Sequence, residues 1–257
     1  MLNLRIGSVP HLNARPLIHG LAGVRLCAPA ELADALHRRE LDAGLVPVVE
    51  VLLHDQYDIV DGIGVVSRGP VRSVFLAHRV PIAKIRRVAV DPNSRSSAAL
   101  LRVVLQCRYG LAPEYYPRAN GATLAEHEAM LVFGDEAVEV AGREGFTPAL
   151  DLGEEWTEWT GWPFVYAVWA VQRPVAGRSP LPQELPQRLK EAKAAGLAHI
   201  EDVIRDSTEG TEGRRRDYLT RCIRYDLGAA EKAGIRKFQE SLVELKLVER
   251  HERRFIS

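Results

Sequence analysis

Three short stretches carry side chains able to hold an anion or move a proton. "SVPHLNARPL", Ser8 to Leu17, contains Ser8, His11, Asn13 and Arg15. Asn13 can donate and accept at once, Arg15 can clamp a carboxylate with two N–H groups, and His11 can act as acid, base or donor. "DPNSRSSAAL", Asp91 to Leu100, sets Ser94, Arg95, Ser96 and Ser97 side by side. "FGDEAV", Phe133 to Val138, contributes Gly134 and Asp135. Each stretch follows an apolar run that reads as a strand and opens a segment that reads as a helix. A helix start exposes unpaired N–H groups and partial positive charge, so such turns suit anions. Each also has a plainer use. One serine would cap a helix, His11 would bond to backbone, Gly134 would make a tight turn, Asp135 would cap the next helix, and Arg15 before Pro16 would point outward.

Other chemistries lack their residues. No HExxH or comparable spacing occurs among the eight histidines, so no metal is expected. No GxGxxG after a strand and no Walker lysine motif is present, so no nucleotide cofactor is expected, and no GxSxG elbow marks a nucleophilic serine. The formal net charge of zero over 257 residues favours neither nucleic acid nor an anionic membrane. Three scattered cysteines, Cys27, Cys107 and Cys222, fit reduced thiols in a cytoplasm better than disulfides. The first residues lack the basic-then-apolar pattern of a signal peptide, and no apolar run reaches the ~20 residues that cross a bilayer.

The elements that must position these turns alternate. "LRIGSV", "VRLCA", "AGLVPV" and "YDIVDG" read as strands separated by helices at "RPLIHGLA", "PAELADALHRRELD" and "VVEVLLHD". "GVVSRGPVRSVFLAH" reads as two strands joined by a turn at "SRGP". A second unit starts at "RRVAVD", with a strong helix after it whose stripe is Leu100, Leu101, Val104 and Leu105. "PFVYAVWAVQRP" reads as a long buried strand returning toward the first unit. From Pro182 onward the pattern is helical. The order predicts a first lobe over 1–85, a second over 86–171, and completion of the first lobe with terminal helices over 172–257. A chain that crosses twice between α/β lobes makes a cleft, and ligands sit beyond strand ends in such sheets. The Trp-rich stretch "DLGEEWTEWTGWPFVYAVW" reads as core or cleft wall, with Thr160, Gly161 and Phe164 able to line a cleft.

"IGSVPHLNARPL" resembles the opening block of the chorismate dehydratase family of the futalosine route to menaquinone. "DAGLVPVVE", "DPNSRSSAALLR", "LVFGDEAV" and "DLGEEWTEWTGWPFVYAVW" resemble further family blocks, in order, along nearly the whole chain. Two positions depart from the pattern: His11 stands where tyrosine is usual, and Ser96 where threonine is common. The resemblance implies a two-lobed fold like type II periplasmic binding proteins, a cytoplasmic lyase, and no cofactor.

The implied reaction turns chorismate into 3-[(1-carboxyvinyl)oxy]benzoate and water. Loss of the proton at ring carbon 3 and the hydroxyl at carbon 4 makes the ring aromatic, so the enzyme must position the substrate and lower a proton-transfer barrier. Its two carboxylates would need two donor sets: Ser94, Arg95, Ser96 and helix N–H groups for one, Ser8, Asn13 and Arg15 for the other. Gly134, Asp135 and Thr160 join the expected substrate contacts, and Asn13 and His11 the expected catalytic groups. The base is either His11 or the substrate's own enolpyruvyl carboxylate, made more basic in a dry cleft. The alternatives are a non-catalytic cytosolic sensor for a small carboxylate and, from the same route, dihydroxynaphthoate synthase, whose opening block differs.

Overall fold

The computed structural model describes residues 4–140, 150–174 and 184–257. β1 (Ile6–Ser8) leads through a 3-10 turn at Leu12–Ala14 into α1 (Arg15–Ile18). β2 (Arg25–Leu26), α2 (Pro29–His37), β3 (Ala43–Pro47), α3 (Val48–Leu53) and β4 (Tyr57–Ser67) follow. Then come β5 (Val74–His78), β6 (Arg87–Val90), α4 (Arg95–Val103), β7 (Glu114–Pro117), β8 (Ala129–Phe133), α5 (Gly134–Val140) and β9 (Leu150–Asp151). α6 (Leu152–Thr160) carries the chain to β10 (Phe164–Gln172). α7 (Leu185–Ala198), α8 (Ile200–Asp206), α9 (Glu212–Asp217), α10 (Ala229–Glu244) and β11 (Phe255–Ile256) complete it.

The strands form two sheets. One has the order β11-β4-β10-β3-β1-β2, the other β7-β6-β8-β5-β9. β10 runs antiparallel to both β3 and β4 at the middle of the first sheet. Its sequence FVYAVWAVQ is apolar on both faces, as a strand covered on both sides requires. The expected turn at "SRGP" is not a hairpin: β4 lies in the first sheet and β5 pairs with β8 and β9 in the second. That short segment is the first crossing between lobes. Apolar patterning alone cannot tell a hairpin from a crossing, because both flanking strands are buried. β5, inside the predicted first-lobe span 1–85, therefore pairs in the second sheet. β10, nearly all of it inside the predicted 86–171, pairs in the first.

One carboxylate ties the two crossings together. Asp151 accepts the Val71 and Arg72 N–H groups at 3.0 and 2.8 Å, and caps α6 by accepting the Gly153 N–H at 2.9 Å. Gly69 N–H donates to Thr157 Oγ1 at 2.9 Å alongside. One large core cluster draws on both sheets, and a smaller one around Phe75, Ala89, Met130 and Val132 packs on the second. Trp156 of α6 and Trp169 of β10 are fully buried, and Trp156 meets Phe164 and Phe238 edge-on at 5.4 and 5.9 Å. Trp162 is exposed. On the first sheet, Gly7 is needed for close packing: a Cβ there would lie 2.5 Å from Leu32 of α2 and 2.6 Å from Leu41. Leu32 and Leu36, with no exposure, hold α2 on that face; each such burial contributes about 1.5–3 kcal/mol.

Candidate functional site

A cleft opens where the lobes face each other, with about 630 Å³ of empty space including its mouth. The first sheet gives it Leu45, Pro47, Val65 and Ala167, and the second gives Val74 and Phe133. The walls are thus largely apolar, and the polar side chains come from the first two strand-to-helix turns, with Ser73 and Tyr166 added from outside them.

In the first turn, His11 and Asn13 line the cleft. Asn13 Nδ2 donates to Tyr218 Oη at 2.9 Å, and Tyr218 donates on to Ser73 Oγ at 3.0 Å. The amide is fixed by this chain, and its carbonyl oxygen has no partner among the described residues. The Ser73 hydroxyl, at the end of the chain, also lines the cleft. Burial drives the Tyr218 phenol far above its ordinary value, against the pull of its bonds to Ser73 and Asn13, so it stays neutral. His11 Nδ1 lies 3.2 Å from Asp135 Oδ2, and Asp135 Oδ1 accepts the Leu12 N–H at 3.1 Å. Asp135 thus braces the first turn from the third. Gly134, at φ +66°, lies under the His11 ring, where a Cβ would be 3.6 Å from it.

In the second turn, Asn93, Ser94, Arg95, Ser96 and Ser97 all line the cleft. Their side chains are mostly engaged in shaping it. Ser94 Oγ donates to the Asp91 carbonyl at 2.6 Å, and Ser96 Oγ accepts the Val49 N–H at 3.2 Å. Arg95 bonds Glu50 at 3.1 Å and Asp34 at 2.8 Å. Among the described residues no side chain caps α4, and its first N–H to find a backbone acceptor is that of Ala98, bonded to Ser94 at 2.7 Å. The N–H groups of Arg95, Ser96 and Ser97 therefore remain open to an anion, at the positive end of a helix.

Three expected contacts lie elsewhere. Arg15 donates to Ser207 Oγ and Glu209 Oε1, each at 2.5 Å, so its guanidinium is held by the chain after α8 and cannot clamp a ligand. Ser8 is fully buried, with its hydroxyl on the Val9 carbonyl at 3.3 Å. Thr160 turns back onto the Trp156 carbonyl at 2.8 Å, as helical threonines do. Asp135 reaches the cleft only through His11. Conversely, the cleft includes Ser73 and Ile223, which no local motif marks, and Tyr166, from the Trp-rich stretch that reads as core or cleft wall. Tyr218 supports it from a helical stretch that reads as a solvated face. Asn93, in the same "DPNSRSSAAL" stretch as Ser94 to Ser97, also lines the cleft.

Among the described residues, no group of three or more metal-ligating side chains occurs, and no helix is long and apolar enough to cross a membrane.

Two α/β lobes joined by two crossings around a ligand cleft define the periplasmic-binding-protein-like fold. The crystal structure of a protein from Archaeoglobus fulgidus matches with a TM-score of 0.76 at 16% identity, over 95% of this chain and 98% of that one. The periplasmic aliphatic sulphonate-binding protein SsuA of Escherichia coli matches with a TM-score of 0.63 at 17% identity, over 95% and 88%. Sequence narrows the class. The model of a family described as menaquinone biosynthesis matches residues 4–244. A chorismate dehydratase of Thermus thermophilus is 30% identical over 260 residues, covering 92% of this chain and 94% of that protein. The chain belongs to the menaquinone biosynthesis family.

Proposed function

We propose that this protein is a chorismate dehydratase, a cytoplasmic hydro-lyase that forms 3-[(1-carboxyvinyl)oxy]benzoate at the start of the futalosine route to menaquinone. The observation that carries the reading is the polarity of the cleft. Open N–H groups at the start of α4 stand at one side, fixed polar side chains of the first turn at another, and apolar walls lie between. A flat, apolar ring bearing two carboxylates and a hydroxyl suits that pattern. The relative from Thermus thermophilus, aligned over most of both chains, supports it.

In this reading the α4 N–H groups and the Ser97 hydroxyl hold one carboxylate. Neutral N–H donors at a helix start do this without a free cation, while Arg95 stays paired with Glu50 and Asp34. Asn13, locked by Tyr218, orients the groups around ring carbons 3 and 4. Val74, Phe133 and Val65 keep water out, which strengthens every polar contact inside. Holding the enolpyruvyl arm in one pose also keeps the substrate from its spontaneous rearrangement.

The test is incubation of the purified protein with chorismate alone, with products followed by chromatography and mass. Loss of one water, giving the carboxyvinyloxy-benzoate, is the expected result. Chorismate bound but unchanged would instead make the protein a carboxylate sensor. Absence of both binding and turnover would overturn the assignment of the ligand.

A further inference from the structure

We propose that the groove between α10 and the segment 250–255 binds a small, multiply charged oxyanion through Arg236, Arg250 and Arg253. The groove shares no lining residue with the cleft, and the proposal is independent of the reaction assigned there.

The groove holds about 880 Å³ of empty space including its mouth. One wall is α10, with Arg236 and Gln239, and the other runs from Arg250 to Arg253 and Phe255. The walls are tied together, because Gln239 Nε2 donates to the His251 carbonyl at 2.9 Å. Just beyond, Phe255 and Ile256 pair with Ile59 and Val60 of β4. The groove is therefore built into the first lobe.

Its positive charges are unevenly met. Arg254 closes on Asp58 with two bonds, at 2.9 and 3.0 Å, and Arg173 takes the same carboxylate at 2.8 Å. Two arginines thus share Asp58, and the neighbouring Arg253 has no ion pair among the described residues. Arg253 is half-buried. Its Nη2 donates to the Leu52 carbonyl at 3.1 Å, and its Nε is buried without a partner. Nη1 reaches the surface, also without a partner among the described residues. Burial first, then the like charge of Arg173, pull this guanidinium down to about 10 from an ordinary 12.5, against the opposite pull of Asp55. A partly desolvated cation so weakly compensated gains from an oxyanion brought to its open edge.

The other two arginines can complete that contact. Arg236 and Arg250 are exposed and make no ion pair or hydrogen bond among the described residues. Glu240 and Glu252 border the groove as well, yet neither is bonded to any of the three. Guanidinium forks match the oxygens of phosphate and carboxylate two at a time. A singly charged ion would leave most of these donors unused. The ligand that suits them carries at least two charges, as a phosphorylated metabolite or a polycarboxylate does.

The test is calorimetric titration of the full chain with pyrophosphate and, separately, with citrate, at fixed ionic strength, repeated in Arg253→Met and Arg236→Glu. Arg236 is an exposed helix position, so its variant keeps the test decisive even where Arg253→Met fails to fold. Wild type is expected to bind one equivalent, and the tighter probe gives the class: pyrophosphate for a phosphorylated ligand, citrate for a polycarboxylate. Affinity should fall about tenfold in Arg253→Met and about fivefold in Arg236→Glu. Absence of binding by both probes at millimolar concentration would overturn the proposal. So would binding that survives both substitutions unchanged, which puts the anion elsewhere, such as at the start of α4.

Discussion

The two turns facing each other across the cleft solve the same problem in opposite ways. In the first, function rests on side chains, each fixed by a residue far away in sequence: His11 by Asp135 and Asn13 by Tyr218. In the second, the side chains of Ser94, Ser96 and Arg95 are mostly committed to the protein, and the backbone of α4 is left to bind. Both turns contain an arginine, and both arginines are bound to protein carboxylates. Side chains placed from a distance can be set at a reacting bond, whereas a helix start can only hold charge. The comparison assigns chemistry to the first turn and grip to the second.

Substitutions can break that comparison. Asn13→Ala should have the largest effect, lowering kcat/KM about 10²-fold, which is about 2.7 kcal/mol; full activity would remove Asn13 from the chemistry. Arg95→Ala should act on stability first. It leaves Glu50, whose side chain is 4% exposed, without its partner while Arg95 itself is 31% exposed. Denaturant titration should show a loss of about 2 kcal/mol, below that of a fully buried pair. Ser97→Ala should weaken chorismate binding about fivefold, near 1 kcal/mol, with kcat unchanged, because the N–H groups remain. A larger effect there would move the grip from backbone to side chain.

Alkaline pH should distinguish the turns more gently. Cys222 follows Tyr218 in the segment behind Asn13, and burial pushes its thiol up to about 11 from an ordinary 9.0. A raised acid keeps its proton longer in the folded state than in the unfolded one. Its stabilising contribution is complete below the ordinary thiol range and is lost as pH rises from about 9 to about 11. The thermal midpoint should fall across that window, and by less in Cys222→Ala.

Much of this site was legible before the fold. The three turns, their place after strands and the helix N-terminal logic follow from local patterns, and all three meet at the cleft. Arg15 was misread because nothing nearby in sequence reveals Ser207 and Glu209, nearly the whole chain away. Tyr218 was hidden for the same reason, inside a run of charged residues that looks like a solvated face. The "SRGP" segment reads as a turn joining two strands yet crosses between sheets, since pairing partners are decided by sheet topology and not by the apolar pattern.

The position of β10 has a consequence for how the chain is made. β3 and β4 are each bonded to β10, yet β10 leaves the ribosome only after the whole of the second sheet. Until then their facing edges carry unpaired N–H and C=O groups, the surface that recruits foreign strands. The second sheet is contiguous in sequence from β5 to β9 and can close on its own. The first must wait, so a nascent chain stalled before Phe164 holds one finished lobe and one open sheet, the state most exposed to aggregation.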